Sequence, residues 1–444
     1  MSGSRAICAT FLLGTLLVPA SGAAEPPSLA ELGIKGEVTF KNFSHFQETD
    51  NDDRNFRNEV ILEVGWLHRW ERRGSLALVL QARGDDAGFA EGVRFQIPDT
   101  NEHRSILAVK EAVGTLLGGP VEVTAGKQIF AWGTADAFNP TDRINPYDYL
   151  DVLDNEKLGV YSAAARLGAG PASLTFAVVP FFTPSRLPLP DDRWTPVPPP
   201  GFTAVVDDRD LPGRAVENMQ YAARLKATVG GWDLSLSYYD GFDDIPAFRA
   251  SPATVAPGAV VPRFTPVYTR VRVAGADFST TWRGFEFHGE GAFTSVQSNG
   301  RQDDFQGIVG FSHTWDGLGW RWLERTTLLL EYARQVLLGP VRDPTILKAG
   351  DSNQVGDLLA DNAFRDTVVG RLRLDVDDET QVELAGLLDL TRSPSYYAQL
   401  KVSHRLRAAW FVEAGLDVMG GAGDTFWGRW RDNDRFFFLL KYYF

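Results

Sequence analysis

The sequence predicts an all-β chain closed into a single transmembrane antiparallel β-barrel of about 18 strands, with short periplasmic turns and long extracellular loops. Three observations carry this expectation. Stretches of roughly ten to fourteen residues alternate apolar and polar side chains along the chain from residue 36 to residue 444. The connections between them alternate in length, short and then long. The second face of these stretches repeatedly carries charge, whereas no window after the N-terminus is apolar enough for a membrane helix.

The start, MSGSRAICATFLLGTLLVPASGAAEPP, has one basic residue (Arg5), an apolar run from Ala6 to Val18, and small residues at Ser21, Gly22, Ala23 and Ala24. This is the pattern of a cleaved secretory signal peptide, expected over residues 1–24. Residues 25–35 then form a short periplasmic segment, and 36–444 the barrel. The single cysteine, Cys8, falls within the signal, so the mature chain is expected to have no disulfide and no thiolate site. The chain carries 44 basic and 57 acidic residues, a net charge of -13, which argues against a nucleic-acid partner.

The strands are expected at 36–47, 55–68, 73–84, 103–114, 120–130, 157–168, 171–181, 216–228, 231–241, 266–278, 281–293, 303–314, 320–335, 365–375, 380–391, 396–406, 408–419 and 434–444. In NFRNEVILEVGW, Phe56, Val60, Leu62, Val64 and Trp66 oppose Arg57, Glu59 and Glu63. In MQYAARLKATVG, Tyr221, Leu225 and Val229 oppose Gln220, Arg224 and Lys226. Val382, Leu384 and Leu388 oppose Glu383 and Asp389, and Leu400, Val402 and Leu406 oppose Lys401 and Arg405. The last strand sets Phe436, Phe438, Leu440, Tyr442 and Phe444 against Arg435, Phe437, Leu439, Lys441 and Tyr443. It is expected to pair with the strand near 36–47, because hydrocarbon tolerates no open sheet edge.

Short turns are expected at 70–74, 117–120, 168–171, 230–231, 280–282 (TTW), 316–319, 375–379 and near Ala408. Long polar connections cover 85–102, 131–156, 182–215, 242–265 and 336–364. Within them the Pro-rich stretch from Pro184 to Pro212 reads as a surface loop. Aromatics near strand ends, among them Trp66, Trp70, Trp132, Trp232, Tyr238, Tyr239, Trp282, Trp315, Trp320, Trp322, Tyr396, Tyr397 and Trp410, suit two interfacial girdles.

No catalytic motif appears: there is no G-x-S-x-G elbow, no H-E-x-x-H and no phosphate-cradling glycine loop. No enzyme activity, cofactor or metal is therefore expected. The densest functional candidate is GKQIFAWGTADAFNPTDRINPYDYLDVLDNEK, residues 126–157, whose two Asn-Pro steps favour fixed turns. Trp132, Asp136, Asn139, Asp142, Arg143, Asn145 and Asp148 are its candidate constriction residues; narrowing of a pore, structural bracing and cation binding all remain open for it. Pore-lining candidates are Lys127, Arg224, Lys226, Arg270, Arg272, Glu286, His288, Glu290, Arg371, Arg373, Glu383, Lys401 and Arg405. Both signs of charge in one lumen would brace the wall and set a field across it.

The GKQ…WG…DAFNPTDRINPYDY stretch, the terminal phenylalanine and the strand count resemble proteobacterial outer-membrane porin-like barrels of the alginate and polysaccharide export type. The resemblance implies an eighteen-stranded channel in the Gram-negative outer membrane that passes an anionic polysaccharide or another polar solute, with Lys127, Arg143, Arg270 and Arg371 on a basic path. It also implies contact with outer-membrane lipid and lipopolysaccharide, recognition of Phe444 by the barrel-assembly machinery, and separate periplasmic export factors. Mixed Arg and Glu in the lumen depart from the strongly basic interior of such exporters. A nutrient or hydrophobic-compound uptake channel, and a structural sleeve around a partner protein, are the alternatives.

Overall fold

The computed structural model describes residues 29, 31–195, 202–297, 302–318, 323–340, 343, 345–347, 363–391 and 394–444. The expected signal peptide, the girdle residues Trp320 and Trp322, and much of the 336–364 connection lie outside these residues.

Period-two sequence becomes extended backbone, and eighteen strands form one sheet. They are β1 (Ile34–His45), β2 (Phe56–Trp70), β3 (Gly74–Asp85), β4 (Leu107–Gly118), β5 (Val121–Gln128), β6 (Val160–Ala169), β7 (Ala172–Val179), β8 (Gln220–Val229) and β9 (Trp232–Phe242). The second half is β10 (Arg270–Trp282), β11 (Phe285–Val296), β12 (Asp303–Asp316), β13 (Arg325–Leu338), β14 (Asp366–Asp375), β15 (Thr380–Asp389), β16 (Ser395–Arg407), β17 (Trp410–Gly420) and β18 (Arg435–Tyr443). Each strand pairs antiparallel with its sequence neighbours, and β1 pairs with β18 from Glu37–Tyr443 to His45–Arg435, closing the barrel. All eighteen expected stretches overlap these strands.

The seam is finished by the chain end. Gly36 and Phe444 exchange two backbone hydrogen bonds of 2.9 Å. The Phe444 ring lies over Gly36, where a Cβ would come within 2.2 Å of it. Closure leaves no edge for lipid to solvate, so backbone satisfaction and membrane residence are one requirement.

The outer surface is apolar. Leu225, Leu234, Leu236, Phe293, Phe305, Val309, Leu384, Leu400 and Phe436 are all exposed on it. In a membrane barrel this is the face that hydrocarbon covers. Trp66, Trp70, Trp232, Trp282, Tyr396 and Trp410 are likewise exposed at strand ends. Three expected girdle residues are not: Trp132 and Tyr239 are buried, and the Tyr397 hydroxyl donates to Asp417 at 2.8 Å. Tyr239 and Tyr397 fall on the inward phase of strands whose outward neighbours, Tyr238 and Tyr396, are the true girdle members.

The turn expected at TTW is also displaced. β10 runs through Trp282, and the reversal is made by Arg283 (φ 50) and Gly284 (φ 82). Positive φ at both central residues is the twist-matched two-residue hairpin geometry. At the other end, the 242–265 connection contains a hairpin, Ala247–Ala256 with Ala259–Val267, joined by short strands at Val205–Val206 and Ile346–Leu347. Prolines hid it from the pattern; Pro252 and Pro262 face each other in the pairing and are tolerated in this small sheet outside the barrel. The Pro-rich stretch is not wholly a surface loop either, because Ser185, Arg186, Asp192, Arg193 and Trp194 are buried.

Candidate functional site: a segment folded into the lumen

The connection between β5 and β6 does not arch outward. Its neck is tied by Asn145, whose side-chain oxygen accepts from the Phe130 N–H (2.7 Å) while its amide donates to the carbonyls of Gln128 (3.2 Å) and Leu158 (2.7 Å). Trp132 and Ile144 then pack with Val160, Val179, Val271 and Val273 on the inner wall. Tyr147 and Asp148 pair with Lys157 and Glu156, and Arg186 lies alongside Tyr147 and Tyr149 through two backbone bonds of 2.9 Å. The second buried segment is thereby stitched to the first.

From this neck the segment is anchored in two directions. Its tip reaches β11, β13 and β14. The backbone N–H groups of Asp136 and Ala137 donate to the two carboxylate oxygens of Glu331 at 2.8 and 3.0 Å. Thr141 donates to Glu290 at 2.6 Å, and the Asp136 carboxylate meets Arg371 at 2.7 Å. Arg143 donates to Gln306 at 2.8 Å on β12. Asn139 turns the tip: its carbonyl accepts from Asp142 at 3.1 Å, and its side chain occupies the space left by Gly133, which sits at φ +94.

The other anchor is ionic. Asp148, fully buried, accepts two bonds from Arg104 (3.0 and 3.1 Å) and one from Arg186 (2.8 Å). Arg104 also reaches Glu59 on β2 at 3.2 Å, as does Arg83 on β3. Asp151, also fully buried, is held between Arg57 (2.7 Å) and Arg435 (2.6 Å). Both guanidinium groups lie over the Phe43 ring, at 4.1 and 4.4 Å from its centre. Asp154 takes Lys41 of β1 at 2.6 Å. Burial alone would favour the protonated acids. The arginines reverse this and hold Asp148 and Asp151 well below the usual carboxylate range. Asp142 goes the other way: burial raises it, against the opposing pull of the neighbouring Lys157 ammonium.

The expected pore-lining set divides. Arg224 faces inward and pairs with Asp277 at 3.1 Å, and Lys226 lies on the same face, exposed to the lumen. Glu383 and Lys401 pair at 2.9 Å, and Arg373 pairs with Asp375 at 2.8 Å. Glu286 and Arg405 sit on inward phases near the short turns, both exposed. His288 and Glu290 are buried beneath the loop tip. Lys127 donates to the Val109 carbonyl at 2.7 Å and has no carboxylate partner among the described residues. It pairs with Tyr161 on the face of the wall opposite the inward Val160 and Ser162, so it is not a lumen residue by strand phase, and it borders a cleft of about 40 Å³ that holds Asp99 and Glu156 as well as Arg83, Lys110 and Lys157.

Arg270 and Arg272 do not line the pore. Val271 and Val273 take the inward positions of β10, so the two arginines project outward and pair with Asp240 at 2.7 and 3.1 Å. This pair stands above the girdle tyrosine Tyr238, where water reaches the outer surface and charge no longer implies the lumen.

His288, Glu331 and Asp136 each offer a ligand atom within 4.8 Å of the others. Both Glu331 oxygens already accept loop N–H groups, and one faces His288 Nε2 at 2.7 Å. The group is therefore built as the tip's anchor. Sequence reasoning missed Arg104, which falls within the expected strand 103–114 but precedes β4 in the structure, and Arg186, which lies in an aperiodic connection. Arg57 and Arg435 were visible as inward charges on apolar strands, although their common partner was not.

No protein-family model matches the sequence, and no curated protein does. Solved structures are similar in fold. OccK9 (OpdG) of Pseudomonas aeruginosa has a TM-score of 0.51 at 9% identity over 92% of this chain and 97% of its own. OccK11 (OpdR) of the same organism has a TM-score of 0.49 at 10% identity over 92% and 95%. A loop-L8 deletion mutant of OmpT, an outer membrane protein of Vibrio cholerae, has 0.41 at 11% over 93% and 98%. At such identities the likeness is one of architecture, the closed porin-like barrel described above.

Proposed function

We propose that the protein is a diffusion channel of the Gram-negative outer membrane for a small polar solute. The observation that supports this is the lumen-folded segment between β5 and β6, anchored on one side to β11, β13 and β14 and on the other to β1, β2 and β18. A wall-to-wall strut divides an eighteen-stranded lumen into narrower space. Such space suits a small solute better than a hydrated polysaccharide chain, and it leaves little room for an enclosed partner protein. Lys226, exposed to the lumen and without a carboxylate partner among the described residues, biases the passage toward anions, such as small carboxylates.

Planar-bilayer recording of the full chain tests this reading. Ohmic single-channel steps are expected, reduced by millimolar small carboxylates and insensitive to anionic oligosaccharides. Deleting residues 134–148 should raise the step size. Absence of steps at every voltage would rule out the channel, and block by the oligosaccharide alone would restore the export reading.

A further inference from the structure

The membrane-facing side of β9 to β13 is hollowed. Ala274 and Ala276 on β10, Gly289 and Gly291 on β11, and Gly307 on β12 occupy outward positions where other strands carry leucine or phenylalanine. Two depressions result, of about 770 and 960 Å³, which share Phe278, Val309 and Tyr332 as lining residues. The lower one runs from Val309 and Leu330 down to Trp232 and Trp282 at the periplasmic rim. At that rim stands Arg283, its guanidinium 4.8 Å from the Trp282 ring centre. Arg283 has no acidic partner among the described residues. It occupies a left-handed turn position (φ 50) that glycine, asparagine or aspartate fills more easily, so its side chain is not there for the turn.

An apolar trough ending in one uncompensated cation and an aromatic rim is complementary to a lipid with hydrocarbon chains and an anionic headgroup. We propose that this groove binds one anionic phospholipid of the periplasmic leaflet, its acyl chains along Phe278, Val309 and Leu330 and its phosphate on Arg283. Arg72 (φ 56), the other exposed arginine at a left-handed turn position among the described residues, supplies an internal control. It lies in the turn between β2 and β3, where the outer face carries Trp66, Trp70 and Leu76 and is filled.

Native mass spectrometry of the full chain in detergent, with added phosphatidylglycerol or phosphatidylethanolamine, tests the site. One phosphatidylglycerol should be retained in preference to phosphatidylethanolamine. Arg283→Gln should weaken retention by roughly fivefold, the scale set by one basic residue at an anionic headgroup. Val309→Trp, at an exposed outward position that lines both depressions, should also weaken it, while Arg72→Gln should not. Equal loss in Arg72→Gln, equal retention of both lipids, or retention unchanged by Val309→Trp would overturn the proposal. So would a dimer abolished by Val309→Trp, which would assign the groove to a second copy of the chain.

Discussion

The lumen segment meets its two walls with different chemistry. At the Asp148 and Asp151 end, fully buried carboxylates are matched by arginines that are themselves at least 93% buried, so water cannot substitute for either partner. At the tip, Asp136 and Arg371 pair with side chains 40% and 36% exposed, and much of the remaining contact is backbone N–H to Glu331. The first arrangement is costly to break because separation strands buried charge. The Asp136–Arg371 pair of the second can exchange with solvent at little cost, whereas Glu331, Glu290 and Thr141 beneath it are buried. One end of the strut is a fixed root, and the other is the contact through which passage can be tuned.

The largest effect that sharpens this contrast is at the root. Asp148→Ala leaves Arg104 and Arg186 without their shared carboxylate and should cost about 3–5 kcal/mol locally. Hydrogen exchange over residues 145–158 should rise sharply and single-channel conductance should become noisy. Protection equal to wild type would show that the root is not ionic.

Asp192, in the second buried segment, gives an intermediate effect. Burial, opposed by a hydrogen bond from the Trp194 N–H, pushes its carboxyl up to about 6. A raised carboxylate contributes stability that is full below its unfolded value of about 4 and is lost as pH rises through about 6. Asp148 and Asp151 have the opposite sign: their contribution is present above about pH 4 and is lost as pH falls through their depressed values. Asp192→Asn should therefore raise the apparent melting temperature at pH 8, by an amount equivalent to about 1–2 kcal/mol, and converge with wild type toward pH 4. A constant offset across this range would contradict the assignment.

The smallest effect in stability is at the tip. Arg371→Ala should change the melting temperature by about 0–1 kcal/mol equivalent, yet alter conductance, because it frees Asp136 within the lumen. Arg272→Ala, on the outer face, should alter neither. A conductance change in Arg272→Ala equal to that in Arg371→Ala would place both arginines on the path and undo the inside–outside division.

How far the sequence could be read follows from where a solvent boundary acts. Along Tyr221, Leu225 and Val229, hydrocarbon on one side and water on the other enforce strict alternation, so strand number, facing and the β1–β18 seam were legible. At Arg270 and Arg272 both sides of the strand are wet, and the same alternation no longer says which side is the lumen. The 247–267 hairpin lies wholly outside the membrane and carries prolines, which masked it.

Local alternation suffices for a closed barrel of eighteen strands, its lipid face, and a candidate loop at 126–157 dense in Asn-Pro and Asp. That this loop enters the lumen, and where it is fastened, emerges in the folded chain, because the partners lie far apart in sequence. Arg104 and Asp148 are 44 residues apart, and Arg435 and Asp151 are 284 apart, so no local pattern records either pair. Alternation is a local consequence of a two-sided solvent. The matching of buried charges is a consequence of closure, and it exists only once the last strand has met the first.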